Sequence, residues 1–266
     1  MKLNYALRSD VGKVRLNNED NFFCNGLYRE DVTQNTSSFI GATDDRRFLA
    51  AVCDGMGGAD LGEIASLLTV QNLTPCSIEN VAKTAASDLQ KSNTAICEAI
   101  SKNHGRPMGS TATLLYIDQG SAITCHLGDS RIYLYRDKTL QQLTTDHTRA
   151  QRLVDLGLLS PEEAPQHPGK HELTQHLGIP EEDMILEPQL SEPLPLCPGD
   201  VFLLCSDGLT DMVDDAAIAA TLATSGSAEN MAQSLLDQAL TAGGRDNVTV
   251  LVIQVPKPLL QRLLRK

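Results

Sequence analysis

Thr111-Ala112-Thr113-Leu114-Leu115-Tyr116-Ile117, Ala122-Ile123-Thr124-Cys125-His126-Leu127 and Arg131-Ile132-Tyr133-Leu134-Tyr135 are short apolar runs separated only by Asp118-Gln119-Gly120-Ser121 and Gly128-Asp129-Ser130. Runs this short, bounded by turn-forming residues, read as strands rather than helices. Links this tight predict an antiparallel meander. Working outward, further strands are expected at 22–24, 48–53, 201–205 and 248–255, and helices over 64–73, 77–102 and 228–240. Strands in runs with helices grouped between them predict an α+β sandwich rather than a doubly wound parallel sheet.

The 266 residues suit one large core, and residues 1–256 are read as a single domain. Apolar residues make up 41% of the chain, with no Trp and only five Phe and five Tyr, so the core must rest on Leu, Val, Ile and Ala. A net charge of −12 argues against nucleic acid or an anionic membrane as partner, because both need phosphate neutralised by Lys and Arg. The seven cysteines are scattered, without CxxC or zinc-like spacing, as expected in a reducing cytoplasm. No signal peptide or membrane span is legible, and a soluble, cytoplasmic monomer is expected. Residues 25–46 read as a polar insertion forming a surface loop or hairpin, and 146–200 as Pro-rich chain mixing short helices with irregular segments. The basic, amphipathic tail over 257–266 reads as a docked or frayed terminal helix, with a weak partner or membrane-surface contact as the alternative.

Several carboxylates share one setting. Asp54 in Cys53-Asp54-Gly55, Asp207 in Ser206-Asp207-Gly208 and Asp129 in Gly128-Asp129-Ser130 each end an apolar run, while Glu19-Asp20 and Asp246 each precede one. Any one alone reads as a turn former. Together they form an oxygen-rich set suited to a hard divalent cation such as Mg²⁺ or Mn²⁺. Gly55 leaves its carbonyl open to close approach beside Asp54. Two such ions lower the pKa of a shared water and relieve the repulsion among the carboxylates. Arg15, just upstream of Glu19-Asp20, offers a planar guanidinium matched to phosphate oxygens.

The ordered series Asp10-Val11-Gly12-Lys13-Val14-Arg15-Leu16-Asn17-Asn18-Glu19-Asp20, Cys53-Asp54-Gly55-Met56-Gly57-Gly58, Gly109-Ser110-Thr111-Ala112-Thr113, Gly128-Asp129-Ser130-Arg131, Asp146-His147, Ser206-Asp207-Gly208-Leu209 and Gly244-Arg245-Asp246-Asn247-Val248-Thr249 spans almost the whole chain. It resembles the bacterial-type members of the type 2C metal-dependent protein serine/threonine phosphatases. The resemblance implies two antiparallel sheets packed together between helices, an α-β-β-α sandwich. It implies hydrolysis of phosphoserine and phosphothreonine by direct attack of a metal-bridging hydroxide, in signal transduction opposite a serine/threonine kinase. It also implies roles. Asp54 bridges two Mg²⁺ or Mn²⁺ ions, Asp207 and Asp246 hold one ion, and Glu19 with the Gly55 carbonyl holds the other. Asp20 orients metal-bound water, Arg15 binds the substrate phosphate, and Asp129 with Asp207 takes a weaker third ion. Residues 146–178 resemble the flap that shapes substrate access.

The departures are specific. Met56 stands where animal members carry a histidine proposed as general acid, and His171 and Gln175 stand where relatives usually carry Asn and Arg. Thr111 and Thr113 are expected to pack in a sheet, Asn247 to order the turn that presents Asp246, and His147 either to approach the site or to stabilise its loop. A haloacid-dehalogenase-type phosphatase needs a second Asp two residues after the first, and Gly55-Met56 and Gly208-Leu209 exclude that pair. A partner-binding module without turnover would show loss of a metal carboxylate. Glu19, Asp54, Asp207 and Asp246 are all present.

Overall fold

The computed structural model describes residues 2–57, 61–224 and 226–257. In chain order the strands and helices begin with β1 (Leu3–Asp10), β2 (Asn21–Cys24), β3 (Thr36–Thr43), β4 (Arg47–Cys53), β5 (Gly55–Gly57), α1 (Gly62–Gln71) and α2 (Val81–Lys102). Next come β6 (Met108–Ser110), β7 (Ala112–Asp118), β8 (Ser121–Leu127), β9 (Arg131–Arg136), β10 (Thr139–Gln142) and α3 (Arg149–Asp155). The chain continues through β11 (Gln189–Leu190), β12 (Leu194–Pro195), β13 (Val201–Cys205), α4 (Asp207–Thr210), α5 (Asp215–Leu222), α6 (Ala228–Thr241) and β14 (Val248–Gln254).

Two antiparallel sheets result. One runs β10-β9-β13-β14-β1-β3, and the other runs β11-β8-β7-β4-β2 with β12 also on β8. The strands read as unbroken apolar runs because both of their faces are covered. In β4, Phe48, Ala50 and Val52 enter the core between the sheets, while Leu49, Ala51 and Cys53 face a second core. That second core is closed by Val70 of α1 and by Val81, Ala85, Leu89 and Ile96, spaced along one face of α2. In β14, Leu251 and Ile253 point between the sheets, and Val250 and Val252 meet Met231, Ala232 and Leu235 of α6. Three apolar layers therefore separate four structural ones, the expected α-β-β-α sandwich. Truncating the fully buried Leu251 to Ala would cost about 2–5 kcal/mol.

The meander expectation holds for one turn and fails for the next. β7 and β8 pair through the link Gln119-Gly120, where both residues have positive φ (51° and 82°), as a type I′ hairpin requires. β9 does not pair with β8. It crosses to the other sheet and pairs with β13 and β10. The polar groups of the link are engaged elsewhere: Gly128 O accepts from His147 N, Gly128 N donates to His147 Nδ1, and Ser130 is held by Thr111 and Thr113. The free edge of β8 is taken by β11 and β12.

The 25–46 segment also needs correction. It is not only a surface insertion, since its second half is β3, an edge strand paired with β1 along its length. The structure adds β1 itself, α3, α4 and α5 to the elements expected. The first helical stretch lies at Gly62–Gln71, and the second starts with a 3-10 turn at Ile78–Asn80 before α2. Gly58 and residues 258–266 of the basic tail lie outside the described residues. No helix among the described residues is long and apolar enough to cross a membrane.

Candidate metal and phosphate site

Antiparallel pairing carries the acidic residues to one end of the sandwich. The end of β4 pairs with the start of β2 (Cys53↔Asn21), so Asp54 and Asp20 are neighbours. The end of β13 pairs near the start of β14 (Cys205↔Val250), which does the same for Asp207 and Asp246. The end of β8 pairs with the start of β7 (Leu127↔Ala112) and delivers Asp129.

Each segment is fixed by local hydrogen bonds. Thr111 clamps Asp54: its Oγ1 accepts from Asp54 N at 2.8 Å, and its own N–H donates to Asp54 O at 2.9 Å. Asn247 ties three segments together. Its Oδ1 accepts from Glu19 N at 2.8 Å, and its Nδ2 donates to Val11 O and Asn17 O, each at 3.0 Å. Ser206 Oγ donates to Asp20 Oδ2 at 2.7 Å and accepts from Thr249 N at 3.0 Å. Arg29, buried although it lies in the insertion, donates to the carbonyls of Asn18 and Asp20 and underpins the acidic pair.

The electrostatics are those of crowded like charge. Burial, then the carboxylates of Asp20, Asp207, Asp129 and Asp246, hold Asp54 well above the ordinary carboxylate range. Burial and Asp207 do the same to Asp129. Burial pushes Asp20 up to about 7 despite hydrogen bonds from Thr249 and Ser206. Asp20 Oδ1 is buried without a hydrogen-bond partner among the described residues. Glu19 is raised by burial and by its neighbour Glu63. Gly55 packs so closely against the carbonyls of Gly62 and Glu19 that a methyl there would collide with both. An all-oxygen donor set, an orphaned buried carboxylate oxygen and mutual repulsion fit divalent cations.

Arg15, half exposed, pairs with Asp246 through Nη2 and Oδ2 at 2.6 Å. Residues 170–171 lie at the same edge: Lys170 Nζ donates to Asp211 Oδ1 at 3.2 Å, and His171 Nδ1 lies 3.5 Å from Asp207 Oδ2.

Arg15, Glu19, Asp20, Asp54, Gly55, Asp129, Asp207 and Asp246 thus meet at this end. Several that position them carried no recognisable signal of that role: Ser206, Arg29, Glu63, Asp211 and the clamp by Thr111. Thr111 is therefore more than a packing residue. His147 acts on its loop, accepting from Gly128 N at 3.2 Å and stacking on His126 at 4.7 Å. Asp146 receives Arg131 in a two-pronged contact that anchors the start of the flap. Gln175 joins Ile185 O to Glu187 N within the flap's own loop.

The family profile described as protein phosphatase 2C matches residues 24–242. The chain belongs to the protein phosphatase 2C family. It is 38% identical over 259 residues to the serine/threonine protein phosphatase PstP of Mycobacterium tuberculosis, covering 95% of this chain and 45% of that protein. The chain therefore spans under half the length of that relative. It is 32% identical to the protein phosphatase PhpP of Streptococcus pneumoniae, covering 94% of this chain and 96% of that one. Among solved structures, the catalytic domain of PstP in complex with two manganese ions superposes with a TM-score of 0.76 at 33% identity, over 97% of this chain and all of that one. This protein phosphatase 2C chain thus shares both fold and sequence with a domain that holds manganese.

Proposed function

We propose that this chain removes phosphate from phosphoserine and phosphothreonine in proteins, with Mg²⁺ or Mn²⁺ as cofactor. The observation that carries the reading is the convergence of Glu19, Asp20, Asp54, Asp129, Asp207 and Asp246 at one end of the sandwich, with Arg15 at its edge. Asp54, Asp207 and Asp246 would hold one ion, and Asp54, Glu19 and the Gly55 carbonyl the other. Bound there, the two ions supply an activated water and withdraw charge from the phosphate.

The chain's own residues supply the rest. Asp20, fixed by Ser206, is placed to accept a hydrogen bond from water through its unpartnered Oδ1. Arg15 uses one Nη in its contact with Asp246, which leaves the remainder of its donor fork for phosphate oxygens. Met56, paired opposite Gly109 in the small β5–β6 ribbon, carries no proton to give, so the leaving alkoxide takes its proton from solvent or another group. Residues 1–256 would act as one catalytic domain, a cytoplasmic monomer, on proteins phosphorylated by a serine/threonine kinase.

The test is hydrolysis of p-nitrophenyl phosphate and of a phosphothreonine peptide by purified protein with Mn²⁺, with Mg²⁺ and with EDTA. Turnover that EDTA abolishes is expected. A folded protein inactive with both metals would instead favour a partner-binding module.

A further inference from the structure

The flap brings one nitrogen donor to a centre otherwise built from oxygen. His171 ends the short 3-10 turn Pro168–His171, and one ligating atom each from Asp129, His171 and Asp207 fall within 4.8 Å of one another. Asp129 is only 8% exposed, and its carboxylate accepts no hydrogen bond from another side chain among the described residues. It is therefore a buried carboxyl group, held by its own backbone N–H and set beside a solvent-accessible imidazole and a second carboxylate. The family resemblance implies a weaker ion at Asp129 and Asp207. It leaves open what else holds that ion and which metal it is.

The two ring nitrogens face different partners. Nδ1 lies 3.5 Å from Asp207 Oδ2, on the side of the cluster. Nε2 lies 3.2 Å from Asp211 Oδ2, whose other oxygen accepts from Lys170 Nζ at 3.2 Å. A metal-binding imidazole usually gives its second N–H to a carboxylate, which fixes the tautomer and makes the free nitrogen a better donor. Asp211 stands where that carboxylate is needed. A nitrogen ligand also changes selectivity: Mg²⁺ demands hard oxygen donors and keeps its waters, whereas first-row transition ions accept imidazole readily.

We propose that His171 Nδ1 completes, with Asp129 and Asp207, a further metal position that prefers a divalent transition ion such as Mn²⁺ to Mg²⁺. The proposal rests on the phosphatase reading above in that Asp207 is shared with the proposed pair of ions.

The test compares the intact protein with His171→Ala and His171→Asn, using equilibrium dialysis against Mn²⁺ and against Mg²⁺ and pulsed electron paramagnetic resonance of bound Mn²⁺. Glu19, Asp54, Gly55, Asp207 and Asp246 offer only oxygen, so a strong nitrogen coupling has to come from imidazole. Expected are a nitrogen coupling in the wild type, its loss in both variants, and a weakest Mn²⁺ affinity lowered at least about tenfold. Mg²⁺ binding should be unchanged. His171 is half exposed, so both variants should fold. Mn²⁺-loaded wild type without nitrogen coupling, or one Mn²⁺ isotherm shared by all three proteins, would overturn the assignment. If that protein still hydrolyses a phosphothreonine peptide with metal, the phosphatase reading survives. Wild type that binds no Mn²⁺ and shows no turnover would overturn both.

Discussion

Arg15 and Asp246 form a direct ion pair, Nη2 to Oδ2 at 2.6 Å, across 231 residues of sequence. The proposed phosphate clamp and a proposed metal ligand therefore neutralise each other in the metal-free protein. Hydrogen bonds to charged groups contribute roughly 1.5–3 kcal/mol. Arg15→Ala should lower kcat/KM for a phosphopeptide about 10- to 100-fold, chiefly through KM. An unchanged KM in steady-state kinetics would mean that Arg15 serves Asp246 alone.

Asp54 feels the charge of Asp20, Asp207, Asp129 and Asp246, so its removal separates stability from activity. Asp54→Asn should abolish turnover while raising the melting temperature in EDTA, because it removes the cost of burying an ionisable carboxyl among other carboxylates. Calorimetry in EDTA beside an activity assay reads both. Normal turnover would refute the metal assignment.

The raised carboxyl of Asp20 sets a pH dependence. A carboxyl whose folded pKa lies above its unfolded value adds stability that is full below the unfolded pKa and is lost as pH rises through the folded one. With Asp20 pushed up from 3.8 to about 7, the metal-free protein should lose stability between about pH 4 and 7. Asp20→Asn should flatten that slope in thermal melts with EDTA. A slope of the same steepness in the variant would assign it to other groups.

Ser206 links Asp20 to the backbone of β14. Ser206→Ala leaves a buried carboxylate oxygen without its donor, at a cost of about 1–3 kcal/mol. Denaturant unfolding should show that loss, and kcat should fall more than KM changes. Wild-type kcat would argue against Asp20 as a water-orienting group.

Gly55 tests the cradle. Gly55→Ala would push its methyl into the carbonyls of Gly62 and Glu19, displacing the start of α1 and the Glu19 segment. Mn²⁺ affinity by dialysis should drop while the far end of the sandwich stays folded, and unchanged affinity would remove Gly55 from the site.

The sequence by itself determined the central strands and helices α1, α2 and α6, because burial on both strand faces and a 3.6-residue apolar stripe leave local, readable patterns. It also singled out Asp54 and Asp207, because an Asp-Gly at a strand end is a local signal that repeats. Tertiary structure alone decided the rest. β3 is a half-exposed edge strand with only Phe39 and Ile40 as large apolar residues, and its place beside β1 follows from long-range pairing. β9 left the expected meander because Thr111, Thr113 and His147 engaged the polar groups of the link from distant positions. Asn247 across three segments and His171 against Asp207 are contacts between residues far apart in sequence. Spacing along a chain reports which face a side chain takes within its own element. Which element that face then meets is settled only when both sheets close on a shared core.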